Sequence, residues 1–224
     1  MHPKQLIGLG KLTYNSMKNI SLYSSAIFGA NYTYRGINRK LSQYRGNANP
    51  DVLGIEVTSY CPRRCRGCYV PEQIKNDIGV IDESLLLSAI SQAKKLRIRN
   101  FGFLGGEPMN EYTIPITLTA ASQNPFLSFV YCTNGDYIAR NDVSYFIRHH
   151  NVGFLLSIDG FRETNDAIRG KNSYSNVMNA SKQLRDLRRI ISASVTVRNE
   201  NIDEVFSDDF INHLLAKVLS MLFG

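Results

Sequence analysis

The sequence predicts an α/β fold in which helices cover a parallel β-sheet. From residue 51 onward, a strand pattern followed by a helix pattern occurs five times, the connections are short, and the strand patterns are nearly continuously apolar. Strands that helices cover on both faces have this composition, because neither face meets water. We therefore expect five βα units that share one sheet.

The expected strands are short runs rich in β-branched and aromatic residues. They lie at residues 53–59, 100–104, 126–132, 152–158 and 190–197. Three of them lead into residues that favour tight turns, namely Gly105-Gly106, Thr133-Asn134-Gly135 and Asp159-Gly160. Turn residues in these positions mark the strand ends.

The expected helices have apolar residues at helical spacing. They lie at residues 82–96, 142–150, 173–189 and 203–222. Asp82 is a suitable N-cap for the first helix, Asn141 or Asp142 begins the second, and Ser173 caps the third. A further segment at 111–122 has an open assignment, because Pro115 interrupts it and proline is unfavourable inside helices.

The composition excludes several classes of protein. With 224 residues, of which 43% are hydrophobic and 20% charged, the chain can form one sizeable core and is neither disordered nor fibrous. No run approaches the roughly 18 apolar residues of a membrane helix, and the N-terminus lacks the apolar run of a secretory signal. Four cysteines are too few for a disulfide scaffold. We expect a cytoplasmic protein without a transmembrane segment.

The positive charge is concentrated near the N-terminus. Residues 1–50 contain seven basic residues and no acidic one, whereas 19 basic and 19 acidic residues cancel in residues 51–224. We expect a basic N-terminal arm at 1–50 and a core domain at 51–224. The arm is interpreted first as a solvated lead-in helix and loop, and second as a binding segment for an acidic peptide. Its scattered charges do not form a nucleic-acid stripe.

Four polar motifs directly follow the expected strands. A cysteine cluster follows the first strand, Gly-Gly-Glu-Pro (105–108) the second and Thr-Asn-Gly (133–135) the third, while Ser-Ile-Asp-Gly (157–160) ends the fourth. The carboxyl ends of parallel strands meet at one edge, which carries the functional site in such folds. The four motifs should therefore line one rim.

Cys61, Cys65 and Cys68 form a C-x3-C-x2-C pattern on one short loop. Three thiolates placed so closely can converge on one centre. Structural zinc needs four ligands, and Cys132 or a histidine could supply the fourth, although a cysteine in an apolar strand is more often a core residue. A four-iron cluster held by three cysteines instead leaves one iron open to another ligand. The pattern favours the cluster and leaves zinc as an alternative.

These motifs together resemble the radical S-adenosylmethionine (SAM) superfamily. The cysteine loop with Tyr69 behind it is similar to the family signature, and residues 105–108 are similar to the family's motif for the methionine amino group. Residues 157–160, Arg169-Gly170 and residues 195–199 resemble the branch whose members often modify peptides or proteins. The resemblance covers roughly residues 51–205, with the motifs in order on successive strands.

The resemblance implies a partial (β/α) barrel that binds a [4Fe–4S] cluster and SAM. Cys61, Cys65 and Cys68 would ligate three irons, and the amine and carboxylate of SAM would chelate the fourth. Reductive cleavage of SAM would give a 5′-deoxyadenosyl radical that abstracts hydrogen from a substrate such as a peptide or protein. The residues expected at the SAM site are Tyr69, Gly105, Gly106, Glu107, Pro108, Asn134, Ser157 and Arg169.

Three of these side chains have specific implied roles. Glu107 would accept hydrogen bonds from the SAM ammonium, and Arg169 would pair with its carboxylate. Ser157 would contact a ribose hydroxyl or the amino-acid end. Gly105 and Gly106 would let the backbone approach the ligand closely.

The sequence also departs from the family pattern. The family core usually has six βα units and this chain shows five, and the cysteine-rich C-terminal extension of the branch is missing. We therefore expect a C-terminally incomplete barrel, either truncated or completed by a partner.

A flavodoxin or ferredoxin is the expected electron donor, which Arg63, Arg64 and Arg66 could attract. The alternatives are a non-catalytic zinc- or cluster-binding module and a SAM-binding relative without turnover.

Overall fold

A computed structural model describes residues 22–44, 50–74, 76 and 78–219. Its strands form one sheet in the order β1-β2-β3-β4-β5, and each neighbouring pair is parallel. The strands are β1 (Val52–Thr58), β2 (Asn100–Gly105), β3 (Ser128–Thr133), β4 (Val152–Ser157) and β5 (Ile190–Ser194). The predicted α/β fold with five parallel strands is confirmed.

Helices connect these strands and cover the sheet. They are α1 (Leu22–Tyr44), α2 (Glu83–Lys95), α3 (Thr113–Gln123), α4 (Asp136–Arg140), α5 (Arg162–Arg169), α6 (Ser173–Asp186), α7 (Ile202–Val205) and α8 (Asp208–Lys217). Two short 3-10 helices lie at Glu72–Ile74 and Ser144–Arg148. None of the helices in the described ranges is both long and apolar enough to cross a membrane.

The first turns of α2 and α3 show how Asp82 and Pro115 fit into these helices. The Asp82 carboxylate accepts a hydrogen bond from the Leu85 amide at 3.0 Å, so Asp82 caps α2 as predicted. The segment with the open assignment is helix α3. Pro115 is tolerated there because it lies in the first turn, where backbone amides have no helical acceptor.

The predicted helix over residues 142–150 is wrong. A short helix, α4, begins earlier, after Gly135 with a φ of 80°, and a 3-10 helix covers residues 144–148. Asn141 is extended, and the Asp142 carboxylate accepts hydrogen bonds from the Ser144 amide and hydroxyl. Such side-chain bonds compete with regular helical bonding, and they break this segment into two pieces.

Helix α5 was not predicted, because six of its eight residues are polar and its two apolar residues, Ala167 and Ile168, are adjacent. The predicted last helix over 203–222 is divided into α7 and α8. Ser207 has an extended backbone and its hydroxyl accepts from the Phe210 amide, so it caps a new helix. Residues 220–222 of that prediction lie outside the described residues.

Ser173 is the first residue of helix α6 and not its cap as predicted, because Asn172 occupies the N-cap position. The helix ends at Asp186, before the predicted residue 189. Its first turn is capped from outside by Asp166, whose carboxylate accepts from the Tyr174 amide at 2.8 Å and the Ser173 hydroxyl at 2.9 Å. Burial opposes ionisation of Asp166, but these hydrogen bonds prevail and lower its pKa. This cap ties α5 to α6.

The main core lies between the sheet and its helices. It is built from stacked aromatic rings, with Phe129 against Phe101 and Phe103, and Tyr131 against Phe154. These side chains alternate along their strands with residues that point to the opposite, inner face, as strand geometry requires. The inner face therefore carries residues such as Val130 and Cys132.

Helix α1 packs on this inner face at the amino ends of the strands. Phe28 lies against Gly153, where an added Cβ would come within 3.1 Å of its ring, and it packs with Ile190 and Val130. The Asn31 amide donates to Ser128 at 2.8 Å. Part of the predicted basic arm is thus a helix on the sheet, while residues 1–21 and 45–49 lie outside the described residues. Among the residues that the structure describes, no helix packs on the inner face at the carboxyl ends of the strands.

Candidate functional site

A cavity of about 420 Å³ opens at the carboxyl ends of the strands. Its wall contains every residue predicted for the site except Pro108. These lining residues are Cys61, Cys65, Cys68, Tyr69, Gly105, Gly106, Glu107, Asn134, Ser157 and Arg169. Pro108 is buried beside the cavity, and its carbonyl accepts a hydrogen bond from the Thr113 hydroxyl at 2.7 Å. The four motifs therefore meet at one rim, as the parallel sheet predicts.

The cysteine loop presents its three thiols at different depths. Cys61 is buried, Cys65 is half-buried and Cys68 is exposed. The sulfur of Cys65 lies 3.8 Å from the Arg169 carbonyl, which brings the loop against the end of α5. The Arg66 amide also donates to the Ile168 carbonyl at 2.9 Å. The loop is thus attached to the end of α5 at Cys65 and Arg66, between its first and last cysteines.

Arg63 is the main anchor of this loop, a role that the sequence did not reveal. Its guanidinium is only 8% exposed and makes a two-pronged ion pair with Asp136, at 2.7 and 2.5 Å. It also donates to the Arg169 carbonyl at 2.9 Å. Arg63 therefore cannot face an electron donor, contrary to expectation. Arg64 and Arg66 are more exposed and pair with Glu72 and Glu200.

The two glycines of the 105–108 motif are required by the chain's own packing. Gly105 has a φ of 118°, and a Cβ there would lie 2.1 Å from the Thr58 carbonyl oxygen. A Cβ at Gly106 would lie 2.2 Å from the Tyr60 carbonyl oxygen. The motif thereby fits against the end of β1, beside the first cysteine. The Tyr69 hydroxyl donates to the Gly105 carbonyl at 2.9 Å.

Glu107 is a buried acid with three hydrogen-bond donors around it. Its carboxylate accepts from the Thr133 hydroxyl at 2.5 Å, the Asn134 amide at 2.8 Å and the Met109 amide at 2.9 Å. Burial nevertheless raises the pKa of Glu107 to about 7, partly offset by these bonds. A bound cation would favour its ionised form, so the site is suited to an ammonium group.

Arg169 is already paired in this structure. Its guanidinium lies 2.7 Å from the carboxylate of Asp159, which is 1% exposed and also accepts from the Thr196 amide at 2.7 Å. This last bond takes the chain away from the sheet, which explains why β5 ends at Ser194 and not at the predicted residue 197. Asp159 therefore organises the rim, and Ser157 lies on the cavity wall beside it.

Arg198 lines the cavity, although the sequence did not single it out as a site residue. Its Nε is buried and has no hydrogen-bond partner among the residues that the structure describes. Its side chain lies over Gly67 on the cysteine loop. Gly67 has a φ of 64°, and a Cβ there would lie 2.6 Å from Arg198 Nη1. Gly67 and Arg198 are far apart in sequence, so their contact could not be predicted from a local motif.

The donor set fits an iron–sulfur cluster better than zinc. Cys132 also lines the cavity, but burial first, and the charge of Glu107 second, raise the pKa of its thiol to about 11, so it is a poor fourth thiolate. His149 and His150 precede β4 and so lie at the opposite end of the sheet. Within the described ranges, no three His, Cys, Asp or Glu side chains are grouped to hold a single metal ion.

Two curated proteins are similar to this chain in sequence. A curated protein of Archaeoglobus fulgidus called "Uncharacterized protein" is 24% identical over 185 residues, 82% of this chain and 43% of its own. The "Fe-coproporphyrin III synthase" of Methanosarcina barkeri is 23% identical over 170 residues, 74% of this chain and 41% of its own. This chain therefore spans less than half the length of these relatives.

Solved structures share the fold. SuiB of Streptococcus suis bound to the precursor peptide SuiA superposes with a TM-score of 0.61 and 20% identity, covering 80% of this chain and 40% of SuiB. SuiB bound to S-adenosylmethionine gives a TM-score of 0.61 and 17% identity, covering 75% of this chain and 38% of SuiB.

The family itself is shown by sequence. The pattern of the Radical SAM superfamily matches residues 55–208, from the first strand to the start of the last helix. That superfamily uses a [4Fe–4S] cluster and SAM, so the predicted cofactors are confirmed at the level of the family. The cysteine loop, the cavity and this match lead to one conclusion: the chain belongs to the radical SAM superfamily.

Proposed function

We propose that this chain is the SAM-cleaving core of a radical SAM enzyme that acts on a peptide or protein. The observation that carries the proposal is the cavity wall, which brings three cysteines together with the residues expected to bind SAM. A [4Fe–4S] cluster with SAM supplies, on one-electron reduction, a 5′-deoxyadenosyl radical that abstracts a hydrogen atom from the substrate.

Within this proposal, Cys61, Cys65 and Cys68 hold the cluster. Arg63 fixes their loop through Asp136, so that the thiols keep their places on the cavity wall. Cys132 lies on a strand and not on this loop, and burial raises the pKa of its thiol, so we assign the cluster to the three loop cysteines. One coordination position is thereby left for an amino-acid chelate.

The opposite part of the wall holds SAM. Glu107, with backbone carbonyls of its motif, accepts hydrogen bonds from the N–H groups of the SAM amine, and Asn134 and Ser157 add polar contacts. Asp159 holds the guanidinium of Arg169 in an ion pair and so orients Arg169 to donate a hydrogen bond to the SAM carboxylate. Tyr69 holds the Gly105 carbonyl in place through its hydroxyl.

A peptide or protein substrate is favoured by two observations. SuiB, which shares the fold, has been solved with its precursor peptide, and residues 157–160 and 195–199 resemble the peptide-modifying branch. The cavity opens at the rim of the sheet, where a side chain of a longer molecule can enter. We further propose a reducing compartment, such as the cytoplasm, because cysteines that ligate a cluster must not be oxidised to disulfides.

An acidic flavoprotein or ferredoxin is the proposed electron donor. Arg64 and Arg66 lie on the cysteine loop with side chains 37% and 59% exposed. Their charges can steer an acidic partner at low ionic strength. Charge-removing variants at both positions should slow reduction by flavodoxin more at low salt than at high salt, and leave reduction by dithionite unchanged. Equal rates at low salt would contradict this proposal.

A second candidate substrate class is a tetrapyrrole, because one curated relative is named Fe-coproporphyrin III synthase. Mass spectrometry after incubation with coproporphyrin III, its iron complex or a peptide pool distinguishes the two classes. A SAM-dependent mass change in the tetrapyrrole alone would replace the peptide proposal.

The cluster is tested by anaerobic reconstitution of the whole chain followed by iron and sulfide analysis. We expect about four irons and four sulfides per chain, and their loss in the Cys65→Ala variant. Cys132→Ala is the matched control and should keep the full content, since it removes a thiol from the same cavity. One zinc and no sulfide, lost in both variants, would establish the zinc alternative.

A further inference from the structure

Arg198 is a cavity arginine whose charge no acid compensates within the described part of the chain. Asp159 neutralises Arg169 and Asp136 neutralises Arg63. On the same loop, Arg66 pairs with Glu200. Arg198 has no ion pair, and its buried Nε has no hydrogen-bond partner. A buried guanidinium nitrogen without a partner is costly, so an acceptor absent from the protein atoms is the natural explanation.

Arg198 lies against the cysteine loop. Its Nη1 would lie 2.6 Å from a Cβ at Gly67, the residue immediately before Cys68. Gly67 has a φ of 64°, so the loop turns here in a conformation that suits glycine and leaves space for the guanidinium. The backbone of Arg198 is held by Asn201, whose side-chain oxygen accepts its amide at 2.7 Å. The cation is therefore held against the loop that carries the cluster ligands.

We propose that Arg198 is a positioning residue that donates to the sulfur atoms of the cluster and raises its reduction potential. The inference rests on the proposed function, because it requires a cluster on the cysteine loop. On reduction, the cluster goes from the 2+ to the 1+ state by taking one electron from an external reductant. A nearby positive charge and hydrogen bonds to sulfur stabilise that added electron, and both are established controls on cluster potential.

Arg66 offers a matched comparison on the same loop. Its side chain is 59% exposed and paired with Glu200, so water, salt and the carboxylate screen its charge. Arg198 is partly buried, faces the cavity and has no such partner. If the total charge of the loop controlled the potential, the two arginines would have similar effects. If direct contact controls it, only Arg198 matters.

The test is an anaerobic redox titration of the reconstituted chain with dithionite, followed by electron paramagnetic resonance, without SAM. R198Q should make reduction at least tenfold less favourable, a shift of about 59 mV to lower potential for a one-electron couple. R198K keeps the charge but loses the planar fork, so its potential should lie between R198Q and wild type. R66Q should change the equilibrium less than twofold.

Iron analysis separates the possible failures. If the wild type binds no cluster, the proposed function fails and this inference fails with it. If the wild type has the cluster and R198Q has the potential of wild type or R66Q, the inference alone is overturned. Because SAM is absent from the titration, an Arg198 that only binds the SAM carboxylate gives this second result. If R198Q cannot hold iron, the reduction potential of R198K is the deciding measurement. A potential of R198K at or above the wild-type value overturns the inference.

Discussion

The inner face of the sheet is packed by a helix at the amino ends of the strands and lines a polar cavity at their carboxyl ends. At the amino ends of the strands, Phe28 of α1 packs against Gly153 and Ile190, and Asn31 satisfies the backbone near β3. At the carboxyl ends, the same face carries thiols, a buried acid and arginines around a cavity. The amino ends gain stability from apolar burial, whereas the carboxyl ends place thiols and buried polar groups around a cavity that a ligand can enter. The comparison predicts that mutations at the two ends will have separable effects.

The largest expected effect comes from breaking the anchor of the cavity. Arg63→Ala leaves the carboxylate of Asp136 buried without its ion pair, which should destabilise the fold by about 3–5 kcal/mol. The cysteine loop loses its attachment, so iron content after reconstitution should also fall. Urea unfolding and iron analysis measure the two effects.

Arg66→Ala is the control for this anchor, because it removes an exposed ion pair from the same loop. It should change the free energy of unfolding by less than about 1 kcal/mol and keep the cluster. If both variants unfold at the same urea concentration, Arg63 is not the anchor that the structure indicates.

At the amino ends of the strands, Phe28→Ala should cost about 3 kcal/mol in the free energy of unfolding, because it removes a buried ring. Iron content and SAM affinity per folded molecule should not change. Leu22→Ala, at a position 85% exposed on the same helix, should cost less than about 0.5 kcal/mol. Loss of iron from folded Phe28→Ala protein would show that the two ends are not separable.

A smaller effect concerns the pH dependence of SAM binding. The folded pKa of Glu107 is about 7, above its ordinary value. As pH rises through 7, Glu107 ionises and becomes a stronger acceptor for the N–H groups of the SAM amine. Affinity should therefore increase about fivefold between pH 6 and 7.5 and level off above pH 8, where Glu107 is almost fully ionised.

Glu107→Gln is the control for this titration, because it keeps the size of the side chain and cannot ionise. Its SAM affinity, measured by equilibrium dialysis of the reconstituted chain, should be weaker and flat between pH 6 and 7.5. If the SAM affinity of the wild type falls between pH 6 and 7.5, ionised Glu107 does not accept hydrogen bonds from the SAM amine.

The sequence predicted the cavity more fully than it predicted the contacts that shape it. The strand patterns and the turn residues after them placed four motifs at one rim, because parallel strands end at a common edge. The ion pairs of Arg63 with Asp136 and of Arg169 with Asp159 were not predictable, since residues distant in the chain meet only after folding. The contact of Arg198 with Gly67 belongs to the same group.

The helices show a similar division. Asp82 and the apolar spacing behind it were sufficient to predict α2. Helix α5 escaped prediction because its stability comes from tertiary contacts and from neighbouring caps, such as the hydrogen bonds that Glu204 accepts from Phe161 and Thr164, and not from an apolar face. The position of α1 on the inner face also depends on distant partners, including Ser128.

The central claim is that this cavity cleaves SAM on a cluster held by three cysteines. The most direct measurement is the release of 5′-deoxyadenosine from SAM by the anaerobically reconstituted chain with dithionite, quantified by liquid chromatography. We expect release by the wild type and by Cys132→Ala, and none by Cys65→Ala. Wild-type protein that holds four irons and binds SAM but releases no 5′-deoxyadenosine would contradict the claim and establish a binding protein without turnover.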